Sequence, residues 1–557
     1  MRTGSCIAAA SIAVALALPA ACRTVPEGPA AVDPARLGSI VQTLASDEYE
    51  GRAPGTRGET RTVDYLIASF RALGLEPGGA DGGWTQSVPL VRTQVGTPRA
   101  LSVAIGGETR PLAQGEQVFV TTVRNAARID VQAAPLVFVG YGVTAPERTW
   151  DDYKGVDLAG KIAVMLINDP DFHAAAGEPV AGRFGGRRMT YYGRWTYKFE
   201  EAARRGAIGT LIVHDADGVG YGWPTIVASG GEGFDLAGRN PSGQLALRGW
   251  LAHDYAATLF HDAGLDLAAL RAQARRADFR PVAMNVTLTA DLPVSIATTA
   301  SRNVLAKLTG TKRPDETVMF AAHWDAYGIG APDAAGRTVR AGANDDALGT
   351  AGVLELARVF AAGPRPQRTL VFALWTAEER GLLGSTAYAE HPLYPLAQTV
   401  ADLTLDILQT AGPARDVLLV GEGQSELEDD LARAAKLQGR VVTPEALPER
   451  GLFYRADHFP LAKQGVPVLL LMAMSGGADL VEGGREAGNR WLEDYMRCYH
   501  QPCDRWSADW DLRGAAQDIE LFHTIGGDLA NSRRWPAWRA GSEFKATREV
   551  SRAAGSH

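Results

Sequence analysis

Thr317-Val318-Met319-Phe320-Ala321-Ala322-His323-Trp324-Asp325 is the stretch that decides the fold. Its uncharged run from Thr317 to Ala322 reads as a strand buried on both faces, and a His and an Asp stand just past its end. Outward from it the rhythm continues. A helix is predicted near Leu348–Ala361, with Val353, Leu356, Ala357 and Phe360 on one face, followed by strands at Thr369–Trp375, Val400–Leu405 and Val466–Met472. Strands alternating with helices predict an α/β fold with a mainly parallel central sheet flanked by helices. In such sheets, ligands bind outside the carboxyl ends of the strands. Polar residues recur at those ends: His323 and Asp325, Asp345 and Asp346, Glu378 and Glu379, then Asp406, with His500 further on in Cys498-Tyr499-His500-Gln501-Pro502-Cys503-Asp504. Each alone has an ordinary reading as a helix cap or a solvated face; their ordered recurrence points to one mouth.

Upstream the pattern changes. Val63, Leu66, Ile67 and Phe70 lie on one face of a helix that Gly74 stops. Residues 113–292 carry short β-rich runs, Leu136–Val139, Ile162–Ile167 and Thr210–Val213, with a helix at Phe199–Arg205. At the start, Arg2 precedes an uncharged stretch from Ile7 to Ala21 that ends Leu18-Pro19-Ala20-Ala21-Cys22. This is the make-up of a secretory signal peptide, so the protein is expected to be exported. Ordinary cleavage would leave it periplasmic or secreted, whereas lipidation of Cys22 would attach it to a bacterial membrane. In an oxidising compartment Cys498 and Cys503 read as a disulfide; a zinc pair flanking His500 lacks a second cysteine pair. With 46% hydrophobic and 22% charged residues the chain is globular, and a net charge of −8 without a Lys/Arg run excludes a nucleic-acid surface.

The clustered side chains are two imidazoles and several carboxylates, a donor set suited to zinc and poorly suited to magnesium or calcium, which prefer all-oxygen shells. Two ions held ~3.5–4 Å apart need a bridging carboxylate and further ligands on each side. Asp345 as bridge, His323 with Asp406, and Glu379 with His500 supply that count.

The series His323-x-Asp325, Gly342-Ala343-Asn344-Asp345-Asp346, Glu378-Glu379, Asp406 and Tyr499-His500 resembles the co-catalytic di-zinc peptidases related to bacterial leucyl aminopeptidase, aminopeptidase Y and glutamate carboxypeptidase. The likeness divides the chain into a signal peptide (1–22), an N-terminal helical part (23–112), a protease-associated-like insert (113–292) and a catalytic domain (293–557). Asp47-Glu48-Tyr49-Glu50-Gly51-Arg52 carries it in the leading helices, and Tyr141-Gly142-Val143 with Gly155–Lys161 in the insert. The resemblance implies two zinc ions per chain on His323, Asp345, Asp406, Glu379 and His500, and peptide substrates cleaved by a metal-bridged water. It implies Glu378 as general base, Asp325 as acceptor for the second ring nitrogen of His323, and Tyr499 as oxyanion donor, against a plain packing role beside the disulfide. Arg455, Asp457 and His458 match a segment lining the substrate pocket, with Ala456 where Ser is usual. A cis peptide between Asp345 and Asp346 is implied as well. Thr404, Ile407 and Leu408-Gln409 depart from the family's Asn, Met and Gly around Asp406. Release of an N-terminal residue is the favoured activity, since only Arg455 and Arg380 stand ready for the carboxylate clamp of a carboxypeptidase. The alternatives are a glutamate carboxypeptidase-like enzyme or a dipeptidase, then a one-zinc glutaminyl cyclase-like acyltransferase, then a non-catalytic receptor-like protein.

Overall fold

The computed structural model describes residues 1, 31–240 and 243–554, so the expected leader and Cys22 lie outside the described residues. Two helices open the fold, α1 (Pro34–Leu44) and α2 (Arg57–Ala72), each started by a side-chain cap from Asp33 or Thr56. The strands β1 (Thr85–Val95), β2 (Ala100–Ile105), β3 (Arg128–Phe138) and β4 (Ile162–Leu166) follow, then α3 (Trp195–Arg204), β5 (Gly209–Val213) and β6 (Leu247–Leu251). The 27-residue β7 (Val282–Leu308) leads back to β8 (Arg313–His323), α4 (Leu348–Ala362), β9 (Arg368–Trp375) and β10 (Thr399–Leu405). The chain continues through α5 (His458–Lys463), β11 (Val468–Leu471), α6 (Gly484–Cys498) and α7 (Arg513–Asn531).

The central sheet runs β11-β10-β8-β9-β7, with β11, β10, β8 and β9 parallel and β7 antiparallel at β9. This is the expected mainly parallel sheet. Both faces of β8 are buried over Thr317–Ala322, which is why that segment reads as an uncharged run: Val318, Phe320 and Ala322 join a core with α1, α2, α4 and α7, while Met319 and Ala321 join the opposite core with Phe453 and Phe459.

Domain limits differ from those read in the sequence. The helical part ends at Ala72, and β2 already pairs with β7 in the second sheet, so the insert begins nearer residue 96 than 113. That second sheet carries a parallel row β3-β4-β5-β6, with α3 between β4 and β5. It is therefore α/β rather than only β-rich, because parallel neighbours need a crossover and a helix is the usual one. The first half of β7 belongs to this sheet and its second half to the central one. The strand Glu232–Leu236 returns from the insert to pair with β1. The two halves are thus stitched together by backbone hydrogen bonds.

Candidate active site and metal centre

The side chains picked out at the strand ends converge. His323 is the last residue of β8, opposite Trp375 of β9. Asp345 and Asp346 lie in the turn before α4, joined by a cis peptide bond. Glu378 and Glu379 follow β9, and Asp406 directly follows β10. His500, at φ 60°, sits beyond α6 in a short loop closed by the bonded Cys498 and Cys503, whose Cα atoms are 5.1 Å apart.

Asp345 divides its carboxylate between two groups. Its Oδ1 lies 3.2 Å from His323 Nε2, which is 3.9 Å from Asp406 Oδ1; its Oδ2 lies 3.2 Å from His500 Nε2, itself 3.2 Å from Glu379 Oε2. In each of the triads His323–Asp345–Asp406 and Asp345–Glu379–His500 one ligand atom per residue falls within 4.8 Å of the others. His323 Nε2, Asp345 Oδ2 and Asp406 Oδ1 are buried without a hydrogen bond. Burial and neighbouring carboxylates push Glu378, Glu379 and Asp346 well above the usual carboxylate range, and Asp406 upward. Burial also works to raise Asp345, but the two imidazoles outweigh it and hold its carboxyl below that range. An acid-rich pocket whose orphaned atoms point at common centres is short of positive charge, and mixed His/carboxylate donors fit zinc.

Around the triads a second set of residues fixes the loops. Asp346 accepts from the backbone N–H groups of His323 (3.3 Å), Gly349 (2.9 Å) and Ile407 (3.3 Å), tying three ligand-bearing segments to one carboxylate. Asp504 accepts from Asn344 N (3.0 Å) and Asp345 N (3.1 Å), and Asn344 Oδ1 accepts from Leu408 N (3.2 Å). Arg52, fully buried, donates to the carbonyls of Trp324, Leu44, Ala341 and Gly342. Tyr327 Oη lies 3.0 Å from His500 Nδ1. The supporting roles of Asp504 and Tyr327 went unread, although both lie in or beside the quoted motifs. The departures around Asp406 are absorbed locally: Thr404 donates to Asp402, and the Leu408 backbone takes the Asn344 side chain.

Other expected roles change. The nearest acceptor for His323 Nδ1 is the backbone carbonyl of Asp325 at 3.1 Å, with its carboxylate at 3.5 Å; that carboxylate accepts from Glu378 N at 3.0 Å. Asp325 therefore ties the His323 ring and the Glu378 backbone to one segment. Asp457 is buried within charge range of His323, Asp325 and Asp406, accepts from Ser385 Oγ at 2.5 Å, and is pushed up to about 8 by burial. His458 is no pocket residue: fully buried in α5, it places Nε2 2.6 Å from the Phe453 carbonyl, and burial lowers it to about 3. At the first turn of a short packed helix these side chains point into the core. Tyr499 caps α6, with its ring 3.6 Å from that of His500. Arg455 is within charge range of Tyr499, Glu378 and Asp406. Beside it lies Arg194 from the insert, a residue the sequence reasoning missed. Arg194 is 5% exposed, its Nε has no partner, and burial with the neighbouring Arg455 lowers it to about 10. The Tyr191–Trp195 cluster docks on the catalytic half, Tyr191 packing on Tyr454 and Phe459 at 6.4 and 5.2 Å. Arg187 and Arg188 pair there with Glu449 and Glu422.

Fold and donor set together fit a metallopeptidase site, and residues 303–522, which hold His323, Asp345, Glu379, Asp406 and His500, match Peptidase family M28. The chain is 30% identical over 196 residues to leupeptin-inactivating enzyme 1 of Streptomyces exfoliatus, covering 34% of this chain and 40% of that one. It is 38% identical over 120 residues to a probable glutamate carboxypeptidase of Arthroderma benhamiae, covering 21% of this chain and 15% of that one. The matches thus span less than half the length of these curated relatives. Among solved structures, the aminopeptidase from Aneurinibacillus sp. strain AM-1 aligns over 92% of this chain and 95% of its own, at 20% identity and a TM-score of 0.47.

Proposed function

We propose that the protein is an exported, zinc-dependent exopeptidase that carries two zinc ions per chain and releases N-terminal residues from peptides. The observation that carries this reading is the pair of triads sharing Asp345, with Glu378 beside them and in neither. Zinc on these ligands would supply Lewis acidity to the scissile carbonyl and the attacking water. Glu378 keeps an oxygen 3.9 Å from His323 Nε2, and Asp325 anchors its backbone. A carboxylate that binds protons readily and coordinates nothing suits taking a proton from water and returning it to the leaving amine. Tyr499, whose phenol makes no hydrogen bond among the described residues, is free to donate to the developing oxyanion. The surplus of carboxylates favours an α-ammonium at the mouth. Export rests on the leader and agrees with the Cys498–Cys503 bond.

A second reading has one observation behind it. Arg194 and Arg455, two neighbouring guanidinium groups that form no ion pair within 4.0 Å among the described residues, suit the terminal carboxylate of a carboxypeptidase substrate. Hydrolysis of a panel of blocked peptides by zinc-loaded protein decides between them. The aminopeptidase reading expects N-acetylation to abolish cleavage and C-terminal amidation to matter little; the reverse pattern transfers the protein to the carboxypeptidase branch.

A further inference from the structure

His500 is the weakest-supported ligand by its backbone. It sits outside regular structure, at a positive φ, in a short loop closed by a disulfide and anchored at its far end by Asp504. His323, by contrast, ends a central strand and meets a carbonyl from its own segment. What orients the His500 ring comes from elsewhere in the chain. Tyr327 Oη is 3.0 Å from Nδ1, and the two rings pack with centroids 4.5 Å apart. The guanidinium of Arg380, next to Glu379, lies 5.0 Å from the centroid of the Tyr327 ring and 5.0 Å from that of Phe234. Glu232, 3.7 Å from Arg380, also pairs with Arg92 of β1 at 2.5 Å. Phe234 and Glu232 belong to the insert strand that pairs with β1.

From this chain of contacts we propose that Tyr327 is the positioning residue of the Asp345–Glu379–His500 half-site, and that the insert strand Glu232–Leu236 holds it in place through Arg380. The inference rests on the metallopeptidase reading and adds a residue and a domain to it. For Nε2 to offer its lone pair, Nδ1 must carry the proton and donate it, and the Tyr327 oxygen is the acceptor in reach. Arg380, within cation–π distance of both rings, braces the phenol, and Glu232 braces Arg380. The insert thereby determines how firmly one of the two half-sites is built, while the His323 half is independent of it.

Chelator competition on the full chain tests this with two affinities read separately. Tyr327→Phe should weaken one zinc by about 10–100-fold and leave the other unchanged, and Glu232→Gln should weaken the same ion by a smaller factor. The ¹⁵N shifts of the His500 ring in metal-free protein give a readout that needs neither zinc nor turnover. The wild type should hold the Nδ1–H form and Tyr327→Phe should show mixed tautomers. A lowered melting temperature with both affinities and the ring shifts unchanged would reduce Tyr327 to packing and overturn the proposal. If the wild type takes up only one zinc, the two-ion reading of the function fails, whereas the ring shifts still decide the role of Tyr327.

Discussion

Glu378 and Glu379 are adjacent in sequence yet face different partners. Glu379 meets His500 at 3.2 Å, whereas Glu378 belongs to neither triad. Glu378→Gln is therefore expected to keep its zinc and its fold while turnover falls by about 10²–10⁴-fold. Metal analysis beside steady-state kinetics checks this, and loss of zinc in that variant would make Glu378 a ligand. A second residue, Asp402 of β10, bears on stability alone. Burial raises its pKa from 3.8 to about 7; Thr404 donates to one oxygen and the other has no partner. Because the folded value lies above the unfolded one, its contribution is fully present below pH ~4 and is lost as pH rises through about 7. Asp402→Asn should then match the wild type in melting temperature near pH 4 and exceed it at pH 8, by the equivalent of at most about 4 kcal/mol. Equal melting curves at both pH values would contradict the assignment.

At the scale of elements, the buried strands β8, β9, β10 and β11 were legible because burial on both faces leaves their central runs apolar apart from Asp402, and their ends located the convergent His and carboxylate side chains. The helix α2 was legible for the complementary reason: Val63, Leu66 and Phe70 are buried, while Ile67 flanks the core. What escaped reading was β7. Its middle, from Ser295 to Ala300, is largely exposed between the two sheets, so the period-2 alternation that marks a half-buried strand breaks there. Asp457 and His458 escaped for a different reason. A motif fixes which residues are present, and only the packing of α5 against the core fixes where their side chains point. The loop after α6 yields a testable consequence. Closing so short a loop gives the whole fold only modest stabilisation, yet it holds Tyr499 and His500 just past the end of α6. Replacing Cys498 and Cys503 together by Ser should lower zinc retention in a chelator challenge more than it lowers melting temperature. A large loss of melting temperature with zinc retention intact would contradict that division.

Over the whole molecule, the site is assembled from chain segments spread from Arg52 to Asp504. Arg52 alone ties the end of α1 to the loops that carry Asp325 and Asp345. Such contacts leave no periodic trace in a sequence, because a buried arginine that satisfies carbonyls looks the same on paper as a solvated one. The insert shares β7 with the central sheet and sends Arg194 and Glu232 toward the site, so it is built into the catalytic half and is no detachable appendage. The central claim remains that one carboxylate, Asp345, joins two metal sites in a peptidase. Zinc per chain, measured by atomic emission after equilibrium dialysis, tests it most directly. The account predicts two zinc ions in the wild type and fewer than one in Asp345→Ala; a wild type that holds one or none, or an Asp345→Ala variant that keeps both, would contradict it.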